Sequence, residues 1–378
     1  MSKIYDAVIV GGGIIGCSIA FQLVKRGLRV LVIEKERMIS EASSAAAGML
    51  GAQSEFSSDS PMIPLALKSR AMFPQLADEL KELTRIDIGL VQKGLIKLAF
   101  TESELCELQQ QYQFWKTLDS SVRWLQRTEL HELEPNVTAE VSGAMYIPND
   151  GQVRAGDLSL AFAKAASVSG AEIREYTEVV SFVTENDQVR GVVTKSEFIY
   201  ADNVIVAVGA WSAKLLRETG IELQMHPVKG ECLSVITEQP LLQATVFAKN
   251  GCYIVPKWGN RLLIGATSIA NTFHKHVSVQ GIYRLLERAQ QIMPQLAEAK
   301  WEKTWAGIRP QTGDGLPYIG EHPIYKGLWM ATGHYRNGIL LSPITGVLVA
   351  DLITKGKHEN MNLSSFQLSR KNGITLIT

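Results

Sequence analysis

The sequence predicts an α/β plus α+β protein: a Rossmann-like dinucleotide-binding domain with a smaller domain built on an antiparallel sheet. Three observations predict it. A glycine-rich turn follows the first apolar strand, an acidic residue ends the second, and later segments return as short strands and hairpins instead of strand-helix-strand units.

The first strand is Ala7-Val8-Ile9-Val10, and Gly11, Gly13 and Gly16 then occupy the glycine positions of G-x-G-x-x-G. One glycine serves the tight turn, one lets the backbone approach a pyrophosphate, and one lets helix and strand pack closely. The helix that follows keeps Ala20, Leu23 and Val24 on one face and stops at Gly27. Its N-terminus is suited to a phosphate, because free N–H groups and the helix dipole both favour negative charge there. The strand Arg29-Val30-Leu31-Val32-Ile33 ends at Glu34, where a carboxylate accepts hydrogen bonds from ribose hydroxyls. A free 2′-hydroxyl is thereby preferred to a 2′-phosphate, and NAD and FAD remain open on this motif alone.

The chain has 378 residues, long for a single core, so two domains are expected. Lys plus Arg and Asp plus Glu both number 38, and no basic run breaks the balance, which excludes a nucleic-acid partner by charge. Any anionic ligand must be held by individually placed cations. Cys17, Cys106, Cys232 and Cys252 lack C-x-x-C spacing and read as buried thiols of a reducing compartment. His274-Lys275-His276 reads as a solvated loop, with no cluster that completes a metal site. The apolar stretch from Ala7 to Phe21 is preceded by Asp6 and broken by glycines, so it is a buried strand and helix and not a signal peptide. No other run is expected to span a bilayer, and the reading is a cytoplasmic protein without stable membrane association.

After Glu34, the run Glu41 to Gly51 is made of small residues that let a backbone approach a flat ligand, and Ser43 and Ser44 supply phosphate donors. Helical periodicity covers Pro64 to Thr84 and Ser103 to Lys116, with strands over Gly94 to Phe100 and Ser142 to Pro148. Asp157 opens a helix over Leu158 to Val168 that ends at Gly170. A hairpin, Val179 to Val183 and Val189 to Thr194, turns at Asn186-Asp187, and the apolar strand Asn203 to Val208 returns to the nucleotide sheet and ends in Gly209. His226 to Ile236 and Cys252 to Thr267 are strand-rich, with a turn at Trp258-Gly259-Asn260, and a helix covers Gly281 to Met293. A last helix is expected to begin near Ser342-Pro343, an N-cap and first-turn pair. Trp301 and Trp305 read as core residues.

Five segments together resemble the FAD-dependent D-amino acid oxidase and sarcosine oxidase superfamily, and within it the glycine oxidases of thiamine biosynthesis. They are the N-terminal fingerprint, Ser43 to Gly51, Pro227-Val228-Lys229-Gly230-Glu231, Gly307-Ile308-Arg309-Pro310 and Gly333-His334-Tyr335-Arg336-Asn337-Gly338-Ile339-Leu340-Leu341. The likeness runs in order over nearly the whole chain and decides the cofactor as FAD. It implies a discontinuous FAD domain of residues 1–50, 151–220 and 306–378, with a substrate domain of residues 51–150 and 221–305.

The likeness also implies site residues. Gly11, Gly13, Ile14, Ile15 and Gly16 with Glu34 and Lys35 would hold the nucleotide half of FAD, and Ser43, Ser44, Ala47, Gly48 and Met49 would follow the ligand inward. Val179 and Gly209 would wall it, and His334, Tyr335, Arg336, Asn337, Gly338, Ile339 and Leu340 would surround the flavin. Arg309 matches the arginine that clamps the substrate carboxylate, Tyr253 adds a hydroxyl, and Arg336 and Met49 complete the pocket. The chemistry explains the clamp: hydride loss from an α-carbon needs the C–H held near the flavin and the amine neutral, so positioning matters more than a general base. A guanidinium does this bidentately.

The expected activity is oxidation of glycine, and also of sarcosine and small D-amino acids, with O2 as acceptor and the imine feeding thiazole formation. A homo-oligomer, a tetramer by family likeness, is expected. Two other readings are a dehydrogenase of the same fold that acts on D-amino acids or proline and passes electrons to a quinone, and a flavin-binding subunit without turnover. Two departures stand out. No cysteine follows Cys252, so FAD is not tethered by a C-terminal cysteine, and Gly251 stands where a bulkier polar side chain is expected, which leaves pocket size and substrate preference open.

Overall fold

The computed structural model describes residues 5–56, 59–249, 251–359, 361–370 and 373–376. The first sheet orders its strands Tyr318–Glu321, Leu328–Thr332, Phe198–Val206, Tyr5–Val10, Val30–Ile33 and Glu172–Arg174. Neighbours along this order are parallel except Tyr318–Glu321, which runs antiparallel to Leu328–Thr332, and Phe198–Val206 also pairs antiparallel, through its first half, with Gln188–Thr194. Its central strands are apolar on both faces, as strands covered by two layers must be. One layer is helical: Ile14–Val24, Ala155–Val168 and Gly338–Lys355 share a core with Met62–Thr84. The other is the hairpin Val179–Glu185 and Gln188–Thr194, turned by Asn186 and Asp187 at φ 50° and 57°, the left-handed pair that a tight hairpin needs.

The second sheet has nine strands and places Met225–Ile236 beside Arg261–Gly265, then Tyr253–Lys257, Thr245–Ala248, Leu95–Ala99, Gly143–Ile147 and Arg123–Leu125. Lys300–Thr312 pairs antiparallel with Met225–Ile236 along nearly its whole length. The amphipathic helix Val279–Ile292 closes this sheet with Ile282, Leu285, Ala289 and Ile292. Its start is set by Ser278, whose Oγ accepts from Gly281 N at 3.0 Å.

Packing redraws three of the expected segment boundaries. Helix Met62–Thr84 turns Leu65, Phe73, Leu76 and Leu80 into the core of the dinucleotide sheet. Strand Ile221–Leu223 pairs with Ile374–Leu376, and Ile221 and Leu223 join the same half. The division at 305/306 falls inside Lys300–Thr312, which stays in the antiparallel sheet to Thr312 because Met225–Ile236 pairs with it throughout.

The last helix begins at Gly338, four residues before the expected Ser342-Pro343 start. Pro343 therefore lies inside it and cannot donate to the Ile339 carbonyl; Ser342 Oγ donates there instead, at 2.9 Å. Ser69 Oγ also enters this helix, donating to the Leu340 carbonyl at 2.6 Å and accepting from Ile344 N at 3.4 Å. Gly346 is bare because the first helix passes close: a Cβ there would stand 2.4 Å from Ser18 Oγ. Against the expectation of no further apolar span, Gly338–Lys355 is long and apolar enough to cross a membrane, and 67% of it is buried inside the fold. Burial on several faces is what makes a core helix this apolar. Helix Ala155–Val168 likewise starts before the expected Leu158, so Asp157 lies in its first turn and pairs with Arg154.

Candidate active site

Strand Tyr5–Val10 delivers the chain into the glycine turn. Gly11 has φ 113°, and a Cβ there would lie 2.6 Å from the Ala207 carbonyl oxygen, so only glycine fits. A Cβ at Gly16 would lie 2.0 Å from the Gly11 carbonyl oxygen, which brings the helix down onto the turn. Gly13 is the N-cap and has no capping side chain; the Ile14 N–H donates to Ser43 Oγ at 2.9 Å. The small-residue run is thus tied to the helix start. Glu34 accepts from Gly12 N at 2.7 Å through Oε2 and from Glu36 N at 2.9 Å through Oε1, fixing the carboxylate at the cleft edge. An ionised carboxyl has further lone pairs for ribose hydroxyls.

From this turn a continuous cleft of about 540 Å³ runs between the two sheets to Tyr253 and Arg309. Gly48, at φ 81°, lies against the Val153 backbone, where a Cβ would stand 2.0 Å from the carbonyl oxygen. Ala47 and Met49 continue along the cleft and pack with Tyr253, Val255 and Leu263. The opposite wall is the loop from Gly333 to Asn337, in which Tyr335 holds φ 46° while its N–H donates to the Pro310 carbonyl at 3.0 Å. His334 is buried with Nε2 3.0 Å from Thr345 Oγ1, and burial pushes it down to about 3, so it is neutral over the working range.

The far end gathers the polar groups. Arg309 leaves Lys300–Thr312 beside Gly230, and Nη1 donates to the Thr267 carbonyl at 3.1 Å. Tyr253 is 5% exposed, its hydroxyl 3.6 Å from Cys232 Sγ, and burial raises it well above the usual tyrosine range. It therefore stays a hydrogen-bond donor. Arg336 Nη2 donates to Glu55 Oε1 at 3.2 Å, and that carboxylate is the first cause raising the guanidinium above its usual range.

The sequence-predicted residues Gly11, Gly13, Ile14, Ile15, Glu34 and Lys35 line the cleft, as do Ser43, Ala47, Gly48, Met49, Val179 and Gly209. His334 through Ile339, Tyr253 and Arg309 line it too. Three expected residues do not. Gly16 serves helix packing, Ser44 Oγ turns back to the Glu41 carbonyl at 3.0 Å, and Leu340 is buried in the helical core.

Sequence reasoning missed Glu55, Cys232 and Trp211, which line the cleft with no motif to announce them. Gly251 has φ 83° and open space around a hypothetical Cβ, and it stands outside the cleft lining; the turn itself calls for glycine. Cys17, Cys232 and Cys252 are buried as expected, whereas Cys106 is exposed on a helix surface. Trp301 is also exposed rather than core, while Trp305 Nε1 donates to the Ala45 carbonyl at 3.0 Å, beside the cleft. The loop at His274-Lys275-His276 is tied to the cleft rim by Lys275 and Glu41 at 2.8 Å, and the described residues contain no group suited to a metal ion.

A doubly wound dinucleotide sheet whose cleft ends on two arginines and a buried tyrosine under an antiparallel sheet defines a dinucleotide-binding protein with a pocket suited to a small anionic ligand. Residues 6–352 match the family described as FAD dependent oxidoreductase. The chain is 56% identical over 375 residues to a glycine oxidase of Geobacillus kaustophilus, covering 99% of each chain. A crystal structure of glycine oxidase from Geobacillus kaustophilus superposes with a TM-score of 0.96 at 55% identity, covering 98% of this chain and 100% of that one. A bifunctional protein ThiO/ThiG of Trichormus variabilis is 35% identical over 97% of this chain and 55% of its own length. The chain belongs to the FAD dependent oxidoreductase family. Its cofactor is FAD, and the bare turn at Gly11 and Gly13, the fixed Glu34 carboxylate and the small-residue wall fit that group.

Proposed function

We propose that this protein oxidises glycine, and also sarcosine and small D-amino acids, to the imine, which water converts to glyoxylate and ammonia. The balanced reaction is glycine, O2 and water giving glyoxylate, ammonia and hydrogen peroxide; FAD is the two-electron acceptor. The observation that carries this reading is Arg309 standing beside the buried Tyr253 hydroxyl at the inner end of the cleft. Arg309 would clamp the carboxylate, Tyr253 would donate to it, and Arg336 and Met49 would border the α-carbon. The antiparallel sheet backs these groups with a packed core, which favours a closed, water-poor site.

FAD would be retained without a covalent link: the turn and Glu34 would hold its nucleotide half, and the Gly333 to Asn337 loop its ring. Likeness to proteins named glycine oxidase and to one named bifunctional ThiO/ThiG supports a role in supplying an imine for thiazole formation in thiamine biosynthesis. A cytoplasmic homotetramer is part of the same reading. The test is an anaerobic titration of the yellow protein with glycine, followed by air and a peroxide assay. Bleaching that air reverses with peroxide release supports an oxidase; bleaching that only a quinone reverses would support the dehydrogenase reading. No bleaching with any amino acid would leave a binding subunit.

A further inference from the structure

Two guanidinium groups face the inner cleft, and they are differently committed. Among the described residues no carboxylate stands within ion-pair distance of Arg309, whose Nη1 is bonded to the Thr267 carbonyl. Arg336 is matched already: Nη2 meets Glu55 Oε1 at 3.2 Å, and the Phe247 ring lies 5.6 Å from its guanidinium carbon. Glu55 is itself a cleft-lining residue, with a side chain 17% exposed. Two further charged groups lie behind it. Lys97 Nζ donates to the Ser54 carbonyl at 3.1 Å and to Gln111 Oε1 at 2.6 Å, and Asp150 is paired with Arg70 at 2.6 Å. At the lining of the inner cleft two cations, Arg309 and Arg336, thus face one anion, Glu55, and Lys97, whose hydrogen-bond partners are uncharged, adds a further positive charge behind it.

We infer that Glu55 determines specificity by limiting the site to amino acids with a single carboxylate. This rests on the proposed oxidation of glycine. A substrate with one carboxylate satisfies Arg309 and leaves the Arg336 and Glu55 pair intact. A second carboxylate reaching Arg336 must displace or confront Glu55, and like charges in a poorly solvated pocket repel strongly. Removing the Glu55 charge turns Arg336 into a second carboxylate site, opening the pocket to amino acids that carry another acid group on nitrogen or on a short side chain.

The experiment compares iminodiacetate with sarcosine, N-substituted glycines that differ by one carboxylate, as substrates of the holoenzyme. Its readout is the ratio of their kcat/KM values in wild type, Glu55→Gln and Glu55→Asp. The ratio is expected to rise at least tenfold in Glu55→Gln and to stay near the wild-type value in Glu55→Asp, which keeps the charge. An unchanged ratio in Glu55→Gln, or an equal rise in both variants, would overturn the inference in favour of pocket size. Inhibition of the wild-type protein supplies a check that needs no variant: malonate is expected to compete with glycine no better than acetate does, and tenfold tighter malonate would also sink the idea. If wild type is reduced by neither glycine nor sarcosine, the proposed activity fails and the inference that rests on it falls with it, whereas a wild type that turns over with an unchanged ratio in Glu55→Gln defeats the inference alone.

Discussion

A Cβ at Gly230 would stand 2.2 Å from Arg309 Nη2: the strand is bare where the guanidinium crosses it. Gly230 sits opposite Gly307, two positions along the ladder from the pair of Val228 with Arg309, so the side chain folds back over its neighbour strand. The Thr267 carbonyl then fixes one nitrogen at 3.1 Å and leaves the remainder of the fork for the cleft. Gly230→Ala should move the clamp and spare the fold, since the displaced atoms end a flexible side chain. Steady-state kinetics should show KM for glycine rising about tenfold, as for a small misplacement of a binding group, with FAD content and melting temperature little changed.

Arg309→Ala should retain FAD and lose substrate affinity. Truncating one partner of a charged pair costs about 2–5 kcal/mol, so KM is expected to rise by at least about thirtyfold. Arg309→Lys should be impaired as well, because an ammonium lacks the fork that serves the Thr267 carbonyl and a carboxylate together. Normal turnover of glycine by either variant would remove Arg309 from the site.

Activity should rise with pH through the basic range as the substrate amine loses its proton. Burial keeps the Tyr253 hydroxyl well above its usual range, so it does not titrate with the substrate. Tyr253→Phe should therefore weaken binding, by about tenfold for a lost hydrogen bond, and leave the basic rise in place. Loss of that rise in the variant would make tyrosine the titrating group.

Glu34→Ala should purify with less FAD. It removes the acceptor for Gly12 N at 2.7 Å and Glu36 N at 2.9 Å, loosening the turn as well as the ribose contact. Charged hydrogen bonds are worth about 1.5–3 kcal/mol, which predicts roughly ten- to hundredfold weaker FAD. Flavin absorbance relative to protein absorbance in the purified variant measures it.

Asp351 should make the fold acid-sensitive. Burial alone would raise its carboxyl, but hydrogen bonds from Arg26, His358 and Lys355 hold it at about 2. A folded-state value below the unfolded one, about 3.9 for aspartate, gives stability that is present above that unfolded value and is lost as pH falls towards about 2. Asp351→Asn should lower the melting temperature at pH 6, and its deficit relative to wild type should shrink as the pH is lowered. A deficit constant with pH would mean that shape and not charge matters there.

The sequence by itself determined whatever depends on neighbours along the chain. Gly11, Gly16 and Glu34 announce the dinucleotide turn because each performs a local steric or polar task at a fixed spacing. Strand and hairpin periods were legible for the same reason, down to the turn at Asn186-Asp187. The start of the last helix was not, since Pro343 reads as a first-turn residue, and its interior place is served by the Ser342 hydroxyl and by Ser69 from another helix. The segment boundaries were decided by packing: Met62–Thr84 finds its apolar partner on Gly338–Lys355, far away in sequence. Arg309 was legible through its motif, but its orientation depends on Gly230 and Thr267, on other strands and loops. The Glu55 carboxylate had no local signature at all. Its meaning comes from lying 3.2 Å from Arg336, and a contact between residues 281 positions apart is something only the tertiary structure can decide.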